Sequence, residues 1–529
     1  MVFSPLFKSS ANSVPSPDGK LIATLLPSKI IVRSIQNLRT LHEIAPPPAA
    51  ELSSPVSTFI WSPSSSKVLI ATASHIHVLG VTDTEFRAVI KIPGPGAAKP
   101  SLVRFGPDDA MVYAFSHLGI KLSIFNLTTC KVVEINNPKF YLPASATRSL
   151  SVRPISYHLA VLTRTAGRDV ISIHAPSAWD VQRSWYPDTV DCQGLMWTSD
   201  GRWLIIWESP AQGHKLLLYT PDGHLFRSWT GPISALSAPD LKHSELGAGI
   251  KRCQLSPDAA MVAVCDYTRF IYILEVPAGL ETMRLHHPTT AIIPRDTLQI
   301  WQEQLSPPLA PSTRVTHGFA KVTQPVSPPG PSPSVNAATP EINVGGSTCL
   351  FDASSSLLAS RIDDSPTALW IWDLSSMELR AVLIFSSDIV SFQWHPSIPE
   401  LLSITCQGRG YEGVVFVWDP LSNGPHPLDC GSRFPEEKIA PKWHAKWIKS
   451  DAPPGTLYVG DSSRYLLASL AGSDDDHPDW GDVHPSPSND NTSSIDHHPL
   501  QGVNVDGSLA DIEDDTLAEP DDTFSFKRV

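Results

Sequence analysis

Short apolar stretches recur along most of this chain, and each is closed by a turn signal. The longest run five to seven residues, as in Lys67-Val68-Leu69-Ile70-Ala71, and neighbouring segments alternate polar and apolar residues. Alternation with a period of two is the mark of a half-buried strand, and runs this short suit strands better than helices. One larger pattern repeats. A strand ends in an aromatic or aliphatic residue, Ser-Pro-Asp-Gly or a relative follows, and an apolar strand ending in small residues comes next. The copies are Ser16-Pro17-Asp18-Gly19, Trp61-Ser62-Pro63-Ser64, Phe105-Gly106-Pro107-Asp108, Val152-Arg153-Pro154, Trp197-Thr198-Ser199-Asp200-Gly201, Leu255-Ser256-Pro257-Asp258, Phe351-Asp352-Ala353-Ser354 and Trp394-His395-Pro396-Ser397. A weak ninth lies near Trp443-His444.

Each copy makes sense as a hairpin: Pro fixes φ and ends the ladder, Asp and Gly supply the turn, and the aromatic packs between sheets. The anchors at 61, 105, 152 and 197 are 44, 47 and 45 residues apart, and those at 351 and 394 are 43 apart. That period suits one four-stranded blade per copy. A third strand follows each anchor, as in Ile30-Ile31-Val32-Arg33 and Phe270-Ile271-Tyr272-Ile273-Leu274, and two of them end in Trp372-Asp373 and Trp418-Asp419. A fourth leads to the next anchor, for example Leu379 to Ile384. Evenly spaced short strands without a helical stretch predict an all-β, WD40-type β-propeller of eight to nine blade units. Its structural signature residues are Trp61, Phe105, Trp197, Trp372, Asp373, Trp394, Trp418 and Asp419. The copy at 152, taken alone, reads equally as a generic hairpin.

Nine units exceed the four to eight typical of one ring, so the pattern predicts either one large ring or a partial second one. Val2-Phe3-Ser4-Pro5-Leu6-Phe7-Lys8 reads as an outer strand without its own blade, and the last unit supplies only three strands. Pairing the two ends would seal the ring and remove exposed edges. The expected organisation is therefore the first six units over 1–286, an insertion over 287–346, the last units over 347–470 with closure by the N-terminal strand, and a tail over 471–529. The insertion is proline-rich and predicts a mostly disordered loop, partly polyproline II. Within it, Ile300-Trp301-Gln302-Glu303 reads either as an ordered strand or docking element, or as more of a solvated spacer.

Charge sharpens this picture. The chain carries 53 acidic and 40 basic residues, but 471–529 alone holds 15 acidic and 2 basic. The remaining 38 and 38 balance, so the body is neutral and the tail carries the whole net charge of −13. A neutral body argues against nucleic acid or an anionic membrane as the main partner. The tail's composition predicts disorder; its end, Phe524-Ser525-Phe526-Lys527-Arg528, reads as a short linear motif. Asp474-Asp475-Asp476-His477 in the tail reads as solvated charge rather than a cation site. No apolar run approaches the roughly 18 residues of a membrane span. The opening Met1-Val2-Phe3-Ser4-Pro5 lacks the basic and apolar regions of a signal peptide. Seven cysteines, odd in number and never closer than twelve residues, suit a reduced compartment and small buried hydrophobes better than disulfides or metal knuckles.

Chemistry-bearing motifs are missing. The sequence has no GxxxxGK[ST] loop, GxSxG elbow or HExxH helix, and no GxGxxG between a strand and a helix. Gly408-Arg409-Gly410-Tyr411-Glu412-Gly413 reads as a hairpin loop, Asp363-Asp364 as a strand connection, and His395 as a turn residue. No catalytic, cofactor or metal site is expected, and the chain is read as a non-enzyme.

Several segments nonetheless point to one family. Phe3-Ser4-x-x-Phe7-Lys8, Ser16 to Ala23 and Ile31-Val32-Arg33 resemble the start of the Wdr-eight family of WD-repeat proteins of centrosomes and spindle pole bodies. Leu218-Tyr219-x-x-Asp222-Gly223-x-Leu225, His287-Pro288 before a long insertion, Ala368 to Leu374 and Phe392-Gln393-Trp394 are similar to that family too. The resemblance spans about residues 1–470, omits the acidic tail and points to a fungal member. It implies a non-enzymatic adaptor in the cytoskeleton at the spindle pole body. There it would anchor microtubule minus ends through a coiled-coil anchoring protein and a minus-end-directed kinesin. The competing expectation is a propeller that serves as a substrate receptor or subunit of another assembly, such as a ubiquitin ligase or a trafficking coat.

Overall fold

A computed structural model of the chain describes residues 1–48, 55–92, 100–141, 148–176, 178–232, 249–306, 314–330, 345–434, 443–450, 455–471, 480 and the backbone of 524–526. The described strands form nine sheets, eight built on four consecutive antiparallel strands and the ninth on three. In chain order these blades cover residues 13–44, 58–91, 102–136, 150–185, 192–229, 250–286, 346–384, 389–429 and 444–469. Helix is confined, among the described residues, to three 3-10 turns of three residues each. The second and third strands of each blade are buried on both faces, as in Leu204–Glu208 and Val414–Trp418, which is why their sequences read as continuous apolar runs. Several fourth strands face solvent: Lys131–Asn136, Val181–Trp185 and Leu225–Trp229 are largely exposed.

The nine units close into one ring. Every hydrophobic core lies between two successive blades, because side chains on a strand point alternately to its two neighbours. Ala23, Val32, Trp61 and Ile70 join blades 1 and 2; Leu69, Val78, Phe105 and Val112 join blades 2 and 3. The series continues without a break to Val415, Leu428, Trp447 and Leu466 between blades 8 and 9. A last core, with Ile22, Leu38, Ile448, Tyr458 and Tyr465, joins blade 9 back to blade 1. A partial second ring would have left a blade with one bare face, and among the described residues no blade has one.

The ninth blade takes its outer strands from the other end of the chain. Val2–Phe3 and Phe7–Lys8 both pair antiparallel with Arg464–Ser469, in the registers Val2 to Ser469 and Phe7 to Tyr465. Between the two short strands the Ser4 amide donates to the Leu467 carbonyl and the Leu467 amide donates back to Ser4 Oγ at 2.8 Å. The aromatic anchor of this blade is Trp447, whose Nε1 donates to the Gln393 carbonyl, rather than Trp443 as the sequence pattern suggests. Trp443 packs instead on Phe434, 4.5 Å between ring centroids.

Two further segments depart from the sequence reading. Part of the insertion is a hairpin, Gln299–Ser306 with Thr316–Lys321, and its first strand pairs parallel with Glu378–Ile384 at the outer edge of blade 7. Proline-rich flanks hide this hairpin, since composition averages over the whole insertion. Trp480, within the acidic segment, is buried in the seam between blades 9 and 1, where its Nε1 donates to the Ile35 carbonyl at 2.9 Å. Phe524–Phe526 pairs antiparallel with Arg87–Lys91 as a fifth strand on blade 2. The remainder of 471–529, with its expected disorder and its Asp474-Asp475-Asp476-His477 run, lies outside the described residues.

Candidate functional site

The signature residues hold the ring together. Ser16 Oγ accepts from the Leu21 amide at 2.9 Å while Asp18 Oδ1 accepts from the Lys20 amide, so the serine and aspartate of Ser-Pro-Asp-Gly stitch one turn. The same pair recurs at Ser256 with Asp258, and at Thr198 with Asp200. Gly19, at φ +71°, also allows the turn to press against the Lys449 carbonyl of blade 9. These turns touch neighbours: the Asp258 amide donates to Ser355 Oγ, and the Ser64 amide to Asp109. In blade 8, His395 takes the serine's place, its Nδ1 accepting from the Ser397 and Ile398 amides. A nitrogen that accepts must be unprotonated, and burial pushes His395 down to about 4.

Trp61, Phe105, Trp197, Trp372, Trp394 and Trp418 are all buried. Trp61 and Trp394 each donate an indole N–H to the first strand of the preceding blade, at Val14 and Leu350. Asp373 and Asp419 cap the turns after their strands, accepting from the Ser375, Ser376 and Leu421 amides. The structure thus places these eight residues in packing and turn positions, spread over five blades rather than gathered at one point.

Two buried polar networks escaped the sequence reading. In the first, Trp372 Nε1 donates to Ser360 Oγ, Ser360 donates to His287 Nε2 at 2.8 Å, and His287 Nδ1 donates to the Arg269 carbonyl. This chain of donors needs a neutral imidazole, and burial pushes His287 down to about 3. In the second, Glu303 of the inserted hairpin meets His317 Nδ1 at 2.7 Å, the Tyr411 hydroxyl at 2.7 Å and the Ser386 amide. Despite its burial Glu303 stays below the usual carboxylate range, because three donors hold its charge, and His317 is raised by the same contact. These groups seal the insertion onto blades 7 and 8. Arg269 and Lys251 likewise pair with Asp364 and Asp363, so this carboxylate pair ties blade 7 to blade 6. Of these groups, Tyr411 lines a cavity of about 400 Å³ together with Cys406, Trp443 and His444.

Among the described residues no three or more His, Cys, Asp or Glu side chains converge as metal ligands, and no helix is long and apolar enough to cross a membrane. What the ring offers is surface: exposed fourth strands and solvent-facing apolar residues such as Ile155, Tyr186, Val190 and Leu225. Such features suit contacts with other proteins.

No protein-family profile matches the chain. Among characterised proteins it is similar to the mouse WD repeat-containing protein WRAP73, 27% identical over 437 residues, covering 79% of this chain and 87% of the relative. An uncharacterized WD repeat-containing protein of Schizosaccharomyces pombe is 23% identical over 420 residues, covering 77% and 80%. Among solved structures, a eukaryotic initiation factor aligns with a TM-score of 0.48 at 9% identity, covering 80% of this chain and 89% of that one. The Dos1 propeller aligns with a TM-score of 0.46 at 11% identity, covering 78% and 93%. By its own strand pairing and repeats the chain is a nine-bladed WD40-type β-propeller, and its curated relatives are WD repeat-containing proteins.

Proposed function

We propose that this propeller is a non-enzymatic adaptor of the spindle pole body, where it helps anchor microtubule minus ends through protein partners. The observation that carries the scaffold part is the closed ring itself: His287, Trp372, Glu303 and His317 join its blades and insertion, and outer strands such as Val181–Trp185 and Leu225–Trp229 are left to solvent. The cellular address rests on the resemblance of residues 1–470 to the Wdr-eight family. Two of its resembling segments have structural work: His287 is the hub of a buried network, and Phe7-Lys8 closes the ring. The partners that fit this reading are a coiled-coil anchoring protein and a minus-end-directed kinesin.

Fluorescent tagging of the full chain tests the address, with one or two dots at the spindle poles as the expected result. Diffuse or vesicular signal would instead favour a receptor or coat subunit. Affinity purification with mass spectrometry tests the partners, and recovery of a coiled-coil protein together with a kinesin is expected.

A further inference from the structure

Blades 4 and 5 meet differently from the other seams where a tryptophan anchors the first strand. Trp61, Trp394 and Trp447 each donate their indole N–H to a carbonyl on the preceding blade. Trp197 Nε1, equally buried, has no hydrogen-bond partner. Its counterpart strand in blade 4, Leu150–Val152, is as short as Ser13–Pro15 of blade 1, but here Ser151 Oγ accepts from the Trp197 backbone amide. The Arg153 guanidinium lies over the indole, 5.4 Å from the ring centroid.

Beside this mismatch lies a cavity of about 360 Å³, walled by Arg153, His158, Trp197, Arg183, Asp222 and His224. Its volume falls within the range of small-ligand and side-chain pockets. Arg153 Nε donates to the Gly201 carbonyl and Arg183 Nε to the Asp222 carbonyl, and among the described residues neither guanidinium forms an ion pair with a carboxylate. His158 Nδ1 is also buried without a partner. Two arginines and two histidines therefore face a single carboxylate, Asp222.

The turn that supplies Arg153 and His158 is strained and apolar. Ile155 has φ +66° and Tyr157 has φ +56°, a backbone region that a β-branched residue such as isoleucine rarely enters. Ile155 is 86% exposed, so packing does not compensate for the strain. Strain retained without a packing reason is a sign of a working surface.

We propose that this cavity docks an acidic linear segment of a partner protein. A carboxylate of that segment enters between Arg153 and Arg183, whose forked donors match it. An apolar side chain beside it settles on Ile155 and Tyr157. The inference rests on the scaffold reading and names the chemistry of one partner contact. It does not depend on the spindle-pole address.

Fluorescence anisotropy of the full chain tests it, using a short fluorescein-labelled peptide with two glutamates beside a leucine, and a twin with glutamines. The glutamate peptide is expected to bind at least about tenfold tighter than its twin, the worth of one charge-assisted contact. Arg183→Glu, on an exposed strand, should erase that preference and leave the melting temperature unchanged. Ile155→Gly relieves the strained turn, so it should hold or raise the melting temperature while weakening the glutamate peptide. Equal binding of the two peptides, no binding of either, or an unaltered preference in Arg183→Glu overturns the proposal. Localisation and partner recovery are read separately, so they can stand when this contact fails.

Discussion

At the scale of single residues, His287 and His395 make the fold sensitive to acid, whereas His317, raised by its hydrogen bond to Glu303, acts the other way. His287 has an ordinary value near 6.5 when unfolded and about 3 when folded. Below pH 6.5 the unfolded chain therefore binds a proton that the folded chain refuses. The stability contributed by neutral His287 is complete above 6.5 and drains as pH falls toward about 3, at up to about 1.4 kcal/mol per pH unit. His395, at about 4, acts in the same direction. Urea denaturation should show the wild-type midpoint falling as pH drops from neutral to the mid-fours. His287→Phe should cost roughly 2–4 kcal/mol at neutral pH, since it takes the acceptor from the Ser360 hydroxyl and the imidazole donor from the Arg269 carbonyl. It should also flatten the pH dependence, and an equally steep fall in this variant would contradict the assignment. The cysteines make a second residue-scale case. Cys130 is exposed and the other six are buried, with burial pushing Cys192 and Cys430 up to about 12. Iodoacetamide treatment of the folded chain should give one adduct by mass spectrometry, at Cys130. A second adduct before unfolding would show that a seam opens.

At the scale of elements, the two ends and the insertion decide stability. Removing residues 1–10 strips the outer strands from blade 9 and takes the buried Phe7 from the core shared with blade 1. Loss of a buried phenylalanine alone costs about 3–5 kcal/mol, so a drop of several degrees in melting temperature is expected, with aggregation through the bared edge. An unchanged melting temperature would mean the ring does not need this strand. Trp301→Ala should cost a similar amount, because the indole fills space that Gly424, at φ +92°, leaves open at the end of blade 8. The repeat was legible because each turn needs Ser, Pro, Asp or Gly at fixed offsets, and such needs are local. The inserted hairpin was legible only as one of two readings of Ile300 to Glu303, because its partners Phe385, Phe416 and Tyr411 lie 66, 97 and 108 residues downstream. A parallel edge strand buried by distant residues leaves little periodic trace. The cavity between blades 4 and 5 was hidden for another reason: Val152-Arg153-Pro154 looks like a decayed repeat, and its consequence appears only once Trp197 lies against it.

At the scale of the whole molecule, charge and closure act together. Nine seams in series leave no bare blade face, so the ring presents only loops and outer strands to partners. The body, 38 acidic against 38 basic residues, has no net charge to draw it to an anionic surface, and the segment from 471 adds a net −13. Trp480 pins that acidic segment to the seam of blades 9 and 1. Tubulin is itself acidic, so at physiological salt, where exposed charges interact over about 8 Å, like charge opposes direct docking. An adaptor of the proposed kind would then reach the microtubule through a partner that carries the basic surface. The purified full chain should stay in the supernatant when microtubules are pelleted, and should move to the pellet once a kinesin partner is added. Pelleting of the chain alone, lost on raising the salt, would mean that a basic surface had been overlooked and that the adaptor touches the lattice itself.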